Sequence, residues 1–400
     1  MIRLLTINKN FRLFWMASCI SSIGDYVDDI AFSMLVYLYT KSTLITSYVF
    51  AIKLIFSFVS MFTASIVDHN NKKEIMIITS IGQGILLLIL FLLYGLNYVT
   101  VPLLIIFVTV QTLFSTFSIP AQNALLPLLI SDEDAIVARA SSSMIQQFIQ
   151  IFAYIGSGML INFIGISGAI LIDIFTFLGA SILLLGVKYE EIRINENKKV
   201  PFLKTVNNGF RFIFLNKIVM IVLIVTFWGN LFASPIDSLA VVYFSVFFSD
   251  KFMYSIFMAA IAIGGIVGTW GLTKCKDKFP MNILLAVGYG FGGLGITLML
   301  FYSCSVVPII GGFLYGISNG FVSIMNGVLL QVNTPNEMMG RVFSAFRCVT
   351  FASGPVGIVA IGYLGEKIAL NILFGILGIL LLVIAFVCLK SITDSKIKRL

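Results

Sequence analysis

Twelve long apolar runs follow one another along this chain and leave it few ways to fold. A helix needs about 20 apolar residues to cross the hydrocarbon core of a bilayer. Inside that core the backbone must satisfy its own hydrogen bonds, so such runs indicate membrane-spanning helices. The run ending near Phe248 is long enough to start as an interfacial helix. Gly, Pro, Asn and charged residues bound the runs at about 11–38, 42–66, 75–96, 102–125, 137–162, 167–187, 213–247, 252–273, 281–302, 306–331, 341–364 and 369–389.

The composition supports an all-α polytopic membrane protein. Of the 400 residues, 59% are hydrophobic and 11% are charged, whereas soluble domains carry about 25% charged residues. The longest polar segment, from Lys188 to about Arg211, is too short to hold a core of its own. The first apolar run exceeds signal-peptide length and lacks an A-x-A cleavage site, which predicts a retained span.

The basic residues set the expected orientation. The net charge of +8 comes from short loops between apolar runs, a distribution that argues against nucleic-acid binding. Lys and Arg are concentrated in alternate loops and at both chain ends, while the opposite loops hold only Lys41, Lys251 and Lys367. The positive-inside rule therefore predicts a multi-pass membrane protein with an even number of spans and both termini in the cytoplasm.

The chain also repeats itself loosely. Residues 122–140 and 325–343 both end a span, cross an acidic loop and reach an Arg early in the next span, at Arg139 and Arg341. We therefore expect two pseudo-symmetric six-helix halves, 1–187 and 212–400, joined by a cytoplasmic linker at 188–211.

The stretch ASIVDHNNKK at 64–73 resembles the loop motif G-x-x-x-D-R-x-G-R-K of the major facilitator superfamily. Asp68 and Lys73 match the motif and Lys72 keeps a positive charge, while other positions depart from it. The resemblance implies the major facilitator fold and a cytoplasmic gate, to which we assign Asp68, Lys72, Lys73, Arg139 and Arg341.

The opening NKNFRLFW, the stretch SSIGDYVDDIAF and the segment LVYLYT resemble the family branch of macrolide-efflux pumps and siderophore or metallophore exporters. The resemblance implies proton-driven export through a central cavity. Two features depart from many proton-driven exporters. The fourth run has no basic residue, and the Gly- and Pro-rich signature of span five survives only as Gly156 and Gly158.

Three carboxylates interrupt the first span. Asp25, Asp28 and Asp29 fall within an arc of about 100° on a helix, so they share a face. Each charge costs about 2.5–3.5 kcal/mol at the bilayer centre, so such residues normally face water or a partner. Lys53 lies at similar depth but cannot neutralise all three. We predict a proton-coupling or substrate-binding site here; the structural alternative is a helix brace with a static ion pair.

Further polar and aromatic candidates lie in later spans. Asp237, after Pro235, occupies a place loosely equivalent to Asp29 and joins the predicted site. Arg347 is a candidate for the cavity lining, although a structural pairing is the alternative for it and for Asp173. Tyr26, Trp228 and Tyr243 are aromatic candidates for the lining, with lipid contact as the alternative for each.

Two motifs suggest enzymes but fail in context. GYGFGG at 288–293 fits a dinucleotide fingerprint without a preceding strand, and GISNG at 316–320 fits a nucleophile elbow without a histidine in its half. Small residues there, with Gly312, Gly316 and Gly320, predict close helix packing instead. The chain has no Walker loop, and its five cysteines lack metal-site spacing. We expect no enzyme activity, cofactor or metal site.

The sequence therefore predicts a secondary transporter that exports a small amphipathic or metal-chelating molecule by proton antiport and alternating access. A lipid translocase or importer of the same fold is the near alternative, and a non-transporting membrane sensor is the distant one. The expected partners are a small-molecule substrate, protons and membrane lipid, without nucleic acid, and a monomer is expected.

Overall fold

The computed structural model describes residues 8–130, 132–189, 202–248, 252–275, 278–335 and 338–391. Within these ranges the chain forms α-helices and short 3-10 turns, without a β-strand. The helices are α1 (Lys9–Thr40), α2 (Thr43–Asp68), α3 (Lys72–Gly95), α4 (Val101–Leu125), α5 (Asp132–Leu185), α6 (Phe202–Leu215), α7 (Lys217–Phe247), α8 (Phe252–Cys275), α9 (Met281–Thr297), α10 (Val306–Val332), α11 (Met339–Gly365) and α12 (Leu370–Ser391).

These helices account for the predicted twelve spans. Ten helical segments of the described chain are long and apolar enough to cross a membrane. One of them, Ser141–Leu185, has 45 residues, about twice the length of a single span. It is divided at Gly165, whose φ of 71° and ψ of 179° are not helical, so α5 contains two spans. The remaining span is α1, which is not among the ten and carries Asp25, Asp28 and Asp29.

The seventh span begins later than the predicted residue 213. The helix α6 ends at Leu215 and α7 begins at Lys217. Asn216 separates them because its side-chain oxygen accepts hydrogen bonds from the N–H groups of Ile218 and Val219, at 3.1 and 3.2 Å. This is an N-cap, which starts a new helix. The predicted run of 213–247 therefore begins with the last three residues of a separate helix, α6.

The chain divides into two compact units. The first comprises Met1–Lys41 and Ile52–Glu196, and the second comprises Ser42–Ala51 and Asn197–Leu400. In the first unit, polar contacts tie several helix ends together on one side. Asn8 Nδ2 donates to the carbonyl of Leu129 at 2.6 Å, and Lys73 Nζ donates to the carbonyl of Leu185 at 2.9 Å. The starts of α1 and α3 thus lie on the same side as the ends of α4 and α5.

The second unit repeats one of these contacts. Asn8 caps α1 by accepting from the N–H of Phe11 at 2.9 Å while its amide reaches Leu129. Asn216 caps α7 in the same way, and its Nδ2 donates to the carbonyl of Asn333 at 3.1 Å. Each unit therefore uses an Asn at the start of its first span to hold the chain that follows its fourth.

Glycines bring α8 and α10 close together within the second unit. The carbonyl of Ile261 on α8 occupies the space beside Gly316 where a Cβ would lie. The carbonyl of Phe313 on α10 occupies the corresponding space beside Gly264. Small residues allow this backbone approach between membrane helices. The expected close packing at Gly312, Gly316 and Gly320 is confirmed, since all three lie against α8.

Glu366, the residue after α11, holds the start of α2 within the second unit. Its Oε1 accepts hydrogen bonds from the Leu44 N–H at 2.9 Å and from the Ser42 hydroxyl at 2.7 Å. These bonds, that of Leu44 first, lower the pKa of Glu366 from its ordinary value because they stabilise the carboxylate. The contact therefore strengthens as Glu366 ionises.

Gly316→Ala should destabilise the protein by about 1–3 kcal/mol, since the new methyl group meets backbone of α8 that cannot rotate away. The measurement is the thermal unfolding midpoint of the purified full-length protein. Gly327→Ala, in the same helix, is the matched control, because nothing lies within 4 Å of its Cβ position. Equal midpoints for the two variants would contradict the close approach of α8 and α10.

Glu366→Gln should lower the unfolding midpoint at pH 7 by roughly 1–2 °C, a small shift because the carboxylate is exposed. The folded-state pKa is depressed, so the carboxylate's contribution is fully present above about pH 4.3, the ordinary value for Glu. It fades as the pH falls through the lower folded-state pKa. Wild type and variant should therefore converge at low pH, and a constant difference would exclude the charge as its source.

Candidate functional site

A cavity of about 470 Å³ in the first unit brings the predicted acidic residues together. Asp25, Tyr26, Asp28, Asp29 and Lys53 all line it. We call it the acidic cavity. The three carboxylates come from one face of α1 because they are three and four residues apart, and Lys53 reaches them from α2. The role of these residues in transport stays a prediction.

Lys53 pairs with Asp29. Its Nζ lies 3.1 Å from Asp29 Oδ1, which is the one ion pair found among the described residues. The ammonium also lies 5.6 Å from the centre of the Phe32 ring, and that ring stacks on Phe107 at 5.3 Å. A carboxylate and an aromatic face therefore fix the position of Lys53.

The other two carboxylates of the cavity have no cation within ion-pair distance in the described chain. Asp25 is open to the cavity, whereas Asp28 is only 9% exposed. Three carboxylates thus share one ammonium, and the excess negative charge attracts a proton or a cationic group. Among the described residues no group of three or more His, Cys, Asp and Glu side chains has the arrangement of a metal site.

Hydroxyl and amide groups cover much of the remaining wall, which sequence reasoning missed. On α4 they recur at Gln111, Ser115, Ser118 and Gln122, a spacing that places them on one helix face. That periodicity is visible in the sequence and could have identified the lining. The polar wall residues are Ser18, Ser21, Ser22, Ser57, Ser60, Ser80, Gln83, Gln111, Thr112, Ser115, Thr116, Ser118 and Gln122.

The acidic cavity occupies one side of its helices. Asp29 lies 11 residues before the end of α1, about 17 Å from that end at 1.5 Å per residue. From there the lining continues to Ala17 near the start of α1, Gln122 near the end of α4 and Leu184 near the end of α5. The cavity therefore extends from mid-helix toward the side on which α1 begins.

Asp173 of α5 lies against α1 and is 1% exposed. One of its oxygens accepts a hydrogen bond from the Thr176 hydroxyl at 3.0 Å, and the other has no hydrogen-bond partner in the described chain. A Cβ on Gly24 of α1 would overlap this carboxyl group. The structural pairing considered for Asp173 is therefore a hydrogen bond to a hydroxyl group and not an ion pair.

The second unit contains a cavity of about 570 Å³ that Asp237 and Arg347 line; we call it the arginine cavity. Asp237 comes from α7, Tyr315 and Asn319 from α10, and Arg347 from α11. The Tyr315 hydroxyl donates to Asp237 Oδ2 at 3.0 Å. Three phenylalanines of α11 lie on the same wall, namely Phe343, Phe346 and Phe351.

The structure places two aromatic candidates elsewhere. Tyr243 is 0% exposed, its hydroxyl donates to the carbonyl of Met299 at 2.9 Å, and its ring meets Phe374 at 5.7 Å. It is a core residue and not part of a cavity wall. Trp228 is 46% exposed and contacts Phe232 at 5.6 Å between ring centres, and it lines neither the acidic nor the arginine cavity.

The predicted gate residues are only partly visible. The side chains of Asp68 and Arg139 lie outside the described residues. Lys72 is buried, and Lys73 caps the end of α5 through the Leu185 carbonyl. In the second unit, the backbone of Arg341 lies against Gly209 of α6. Lys73 thus braces a helix end and Arg341 packs through its backbone, and the role of all five residues in a gate stays a prediction.

Comparisons with curated proteins find uncharacterised transporters and relatives whose names refer to efflux or export. The chain is 23% identical to macrolide efflux protein A of Streptococcus pyogenes over 338 residues, which cover 81% of each chain. It is also 23% identical to a putative bacilysin exporter of Bacillus amyloliquefaciens over 375 residues, 88% of each chain.

Solved structures share the fold. The nucleoside transporter NupG superposes with a TM-score of 0.74 at 13% identity, over 95% of this chain and 99% of that one. A bacterial homologue of the iron transporter ferroportin, in its inward-facing state, gives 0.74 at 16% identity, over 98% and 99%. The family model described as Major Facilitator Superfamily matches residues 14–358. With its apolar helices and its polar cavities, the chain is a multi-pass membrane transporter that belongs to the major facilitator superfamily.

Proposed function

We propose that this transporter is a secondary active exporter that moves a small amphipathic or metal-chelating molecule out of a bacterial cell in exchange for protons. Two six-helix halves, 1–187 and 212–400, would alternate access to the cargo, with the linker 188–211 and both termini in the cytoplasm. The proposal rests chiefly on the acidic cavity, where three carboxylates share one ammonium group.

The acidic cavity supplies a means of coupling. Asp25 and Asp28 bind either a proton or a cationic group of the cargo, because both neutralise the same charge. A protonated carboxyl group is neutral and no longer attracts a cation. Proton binding therefore releases cargo, and cargo binding releases protons. Such mutually exclusive occupancy is what antiport requires.

Three observations support the choice of cargo. The named relatives are a macrolide efflux protein and a putative bacilysin exporter, both associated with export of small molecules. The acidic cavity offers hydrogen-bonding groups and negative charge, which suits a polar cation. The arginine cavity has a phenylalanine wall, which suits an apolar portion of a cargo.

The proposed orientation lets a cargo reach the acidic cavity from the cytoplasm, while the proposal of export itself rests on the efflux and exporter relatives. The acidic cavity extends toward the side on which α1 begins, and the distribution of Lys and Arg assigns that side to the cytoplasm. A cargo made or accumulated in the cytoplasm would enter there. An importer or a lipid translocase of this fold would give the opposite sign of accumulation, or none for soluble compounds.

Asp25→Asn and Asp28→Asn should each reduce export about tenfold or more, because each removes a charge-assisted contact of about 1.5–3 kcal/mol. The measurement is the accumulation of a macrolide, and of a panel of small cationic compounds, in cells with and without the protein. The wild-type difference should vanish when a protonophore collapses the proton gradient.

Glu366→Gln is the control for these two variants, since it makes the same chemical change outside both cavities. Export by Asp25→Asn and Asp28→Asn at the wild-type rate, with the same response to the protonophore, would refute the coupling role. Higher accumulation in cells with the protein would favour an importer, and equal accumulation of every compound would favour a sensor.

Lys53→Met should destabilise the protein because it leaves Asp29 without its cation, and Asp29→Asn in the same chain should restore much of the loss. We expect a coupling free energy of about 1 kcal/mol from the double-mutant cycle, a modest value because Asp29 is half exposed. The measurement is thermal unfolding of the four purified proteins, with Lys41→Met as control for loss of an exposed ammonium. Strictly additive effects would mean that the pair contributes nothing.

A further inference from the structure

We propose that Arg347 binds a carboxylate of the cargo, with amide and hydroxyl groups of the arginine cavity completing the subsite, so that the cargo is amphoteric. The inference rests on the proposed export function and specifies its substrate. It assigns the cargo's anionic group to the second unit and leaves its cationic group to the carboxylates of the first.

Arg347 has no acidic partner among the described residues. It lies within the membrane-spanning helix α11, is exposed and lines the arginine cavity. No carboxylate of the described chain lies within 4.0 Å of its guanidinium group, and the ion pair Lys53–Asp29 involves neither it nor its neighbours. Cations in membrane helices are costly and usually mark a ligand path or pair with an acid. Because no acid pairs with Arg347 in the described chain, we take Arg347 to mark a ligand path.

The nearby acid is already engaged by a neutral donor. Asp237 lines the same cavity but accepts its hydrogen bond from the Tyr315 hydroxyl at 3.0 Å. A static Arg–Asp pair would neutralise both charges and would be the simplest structural use of Arg347. The structure has Tyr315 in that place, which leaves the five N–H donors of Arg347 available to a ligand.

Neutral polar side chains also line the arginine cavity. Asn319, Ser323 and Asn326 are among them. A carboxylate only accepts hydrogen bonds, and these side chains offer amide N–H and hydroxyl donors.

The helix α10 presents these groups in a row. Tyr315, Asn319, Ser323 and Asn326 recur at intervals of four, four and three residues, so they share the face that lines the cavity. Asn side chains supply amide N–H donors and Ser a hydroxyl, which bind carboxylate oxygens without adding charge. The guanidinium group on α11 then supplies the positive charge and the planar fork that matches a carboxylate.

The surroundings of Arg347 favour an organic carboxylate over an inorganic anion. Phe343, Phe346 and Phe351 line the same cavity from α11. Their apolar surface binds hydrocarbon and lowers the local polarity, which strengthens a guanidinium–carboxylate contact. An anion attached to an apolar body satisfies both parts of this wall, whereas a small hydrated anion satisfies one.

The two cavities should bind ligand groups of opposite charge. The acidic cavity holds three carboxylates against one ammonium group. The arginine cavity holds a guanidinium without an acid partner in the described chain and a carboxylate bonded to Tyr315. A purely cationic molecule would leave Arg347 without a counter-charge, and a purely anionic one would leave Asp25 and Asp28 without one. A molecule with both groups satisfies each cavity in turn.

The test compares solutes exported by cells that express the full-length wild type, Arg347→Gln, Arg347→Lys or Arg211→Gln, measured in the medium by mass spectrometry. Arg211→Gln is the control, because this exposed residue of α6 lines neither cavity. We expect the wild-type-dependent solutes to carry both a carboxylate and a cationic nitrogen. Arg347→Gln should reduce their export about tenfold or more and Arg347→Lys less, since Lys keeps the charge and loses the fork.

Thermal unfolding of purified Arg347→Gln separates loss of function from loss of folding. A second measurement follows the export of the solute's methyl ester, which lacks the anionic carboxylate. The wild type should export the ester poorly, and Arg347→Gln should no longer distinguish acid from ester. Exported solutes without an anionic group, or unchanged export by Arg347→Gln, would overturn the subsite while the export function stood. If no solute depended on the protein, both proposals would fall.

Discussion

The absence of water from a bilayer core governs this molecule. Every backbone N–H and C=O group that crosses it must be satisfied within the protein, which is why the described chain is helical. The same condition acts on side chains. Lys53 is held by Asp29 and the ring of Phe32, Asp173 by the hydroxyl of Thr176, and Asp237 by that of Tyr315. Asp25, Asp28 and Arg347 have no ion pair in the described chain, and all three line cavities. For these three residues an unpaired charge coincides with space for a ligand, whereas the second oxygen of Asp173 has no hydrogen-bond partner among the described residues and lies outside both cavities.

Much of the fold could be predicted from the sequence because the length of each apolar run reports directly on the thickness of the bilayer. The break between spans five and six is expected between residues 162 and 167, and it lies at Gly165. The start of the seventh span was misplaced because Ile213, Phe214 and Leu215 are as apolar as the span itself. Only the N-cap at Asn216 distinguishes them. A cap is a geometric property of one residue, and hydropathy does not register it.

The candidate site shows the same division. Helix periodicity placed Asp25, Asp28 and Asp29 on one face, and counting residues from the helix ends placed Lys53 at their depth. Periodicity does not predict which carboxylate pairs with the ammonium group of Lys53. In the structure that partner is Asp29. Nor does periodicity say which of several buried aromatic residues faces a cavity, because Tyr26 lines one and Tyr243 fills the core. Those outcomes depend on side-chain packing between helices that are distant in sequence.

Gly165 illustrates how a single backbone angle can limit variation. Nothing lies within 4 Å of the position a Cβ would take there, so by volume alone any small side chain would fit. Its φ of 71° and ψ of 179° nevertheless belong to a region that only glycine enters readily. The reversal between two spans thus depends on a torsion and not on a cavity. Replacing Gly165 with another amino acid would therefore strain the backbone, although the space around it is empty.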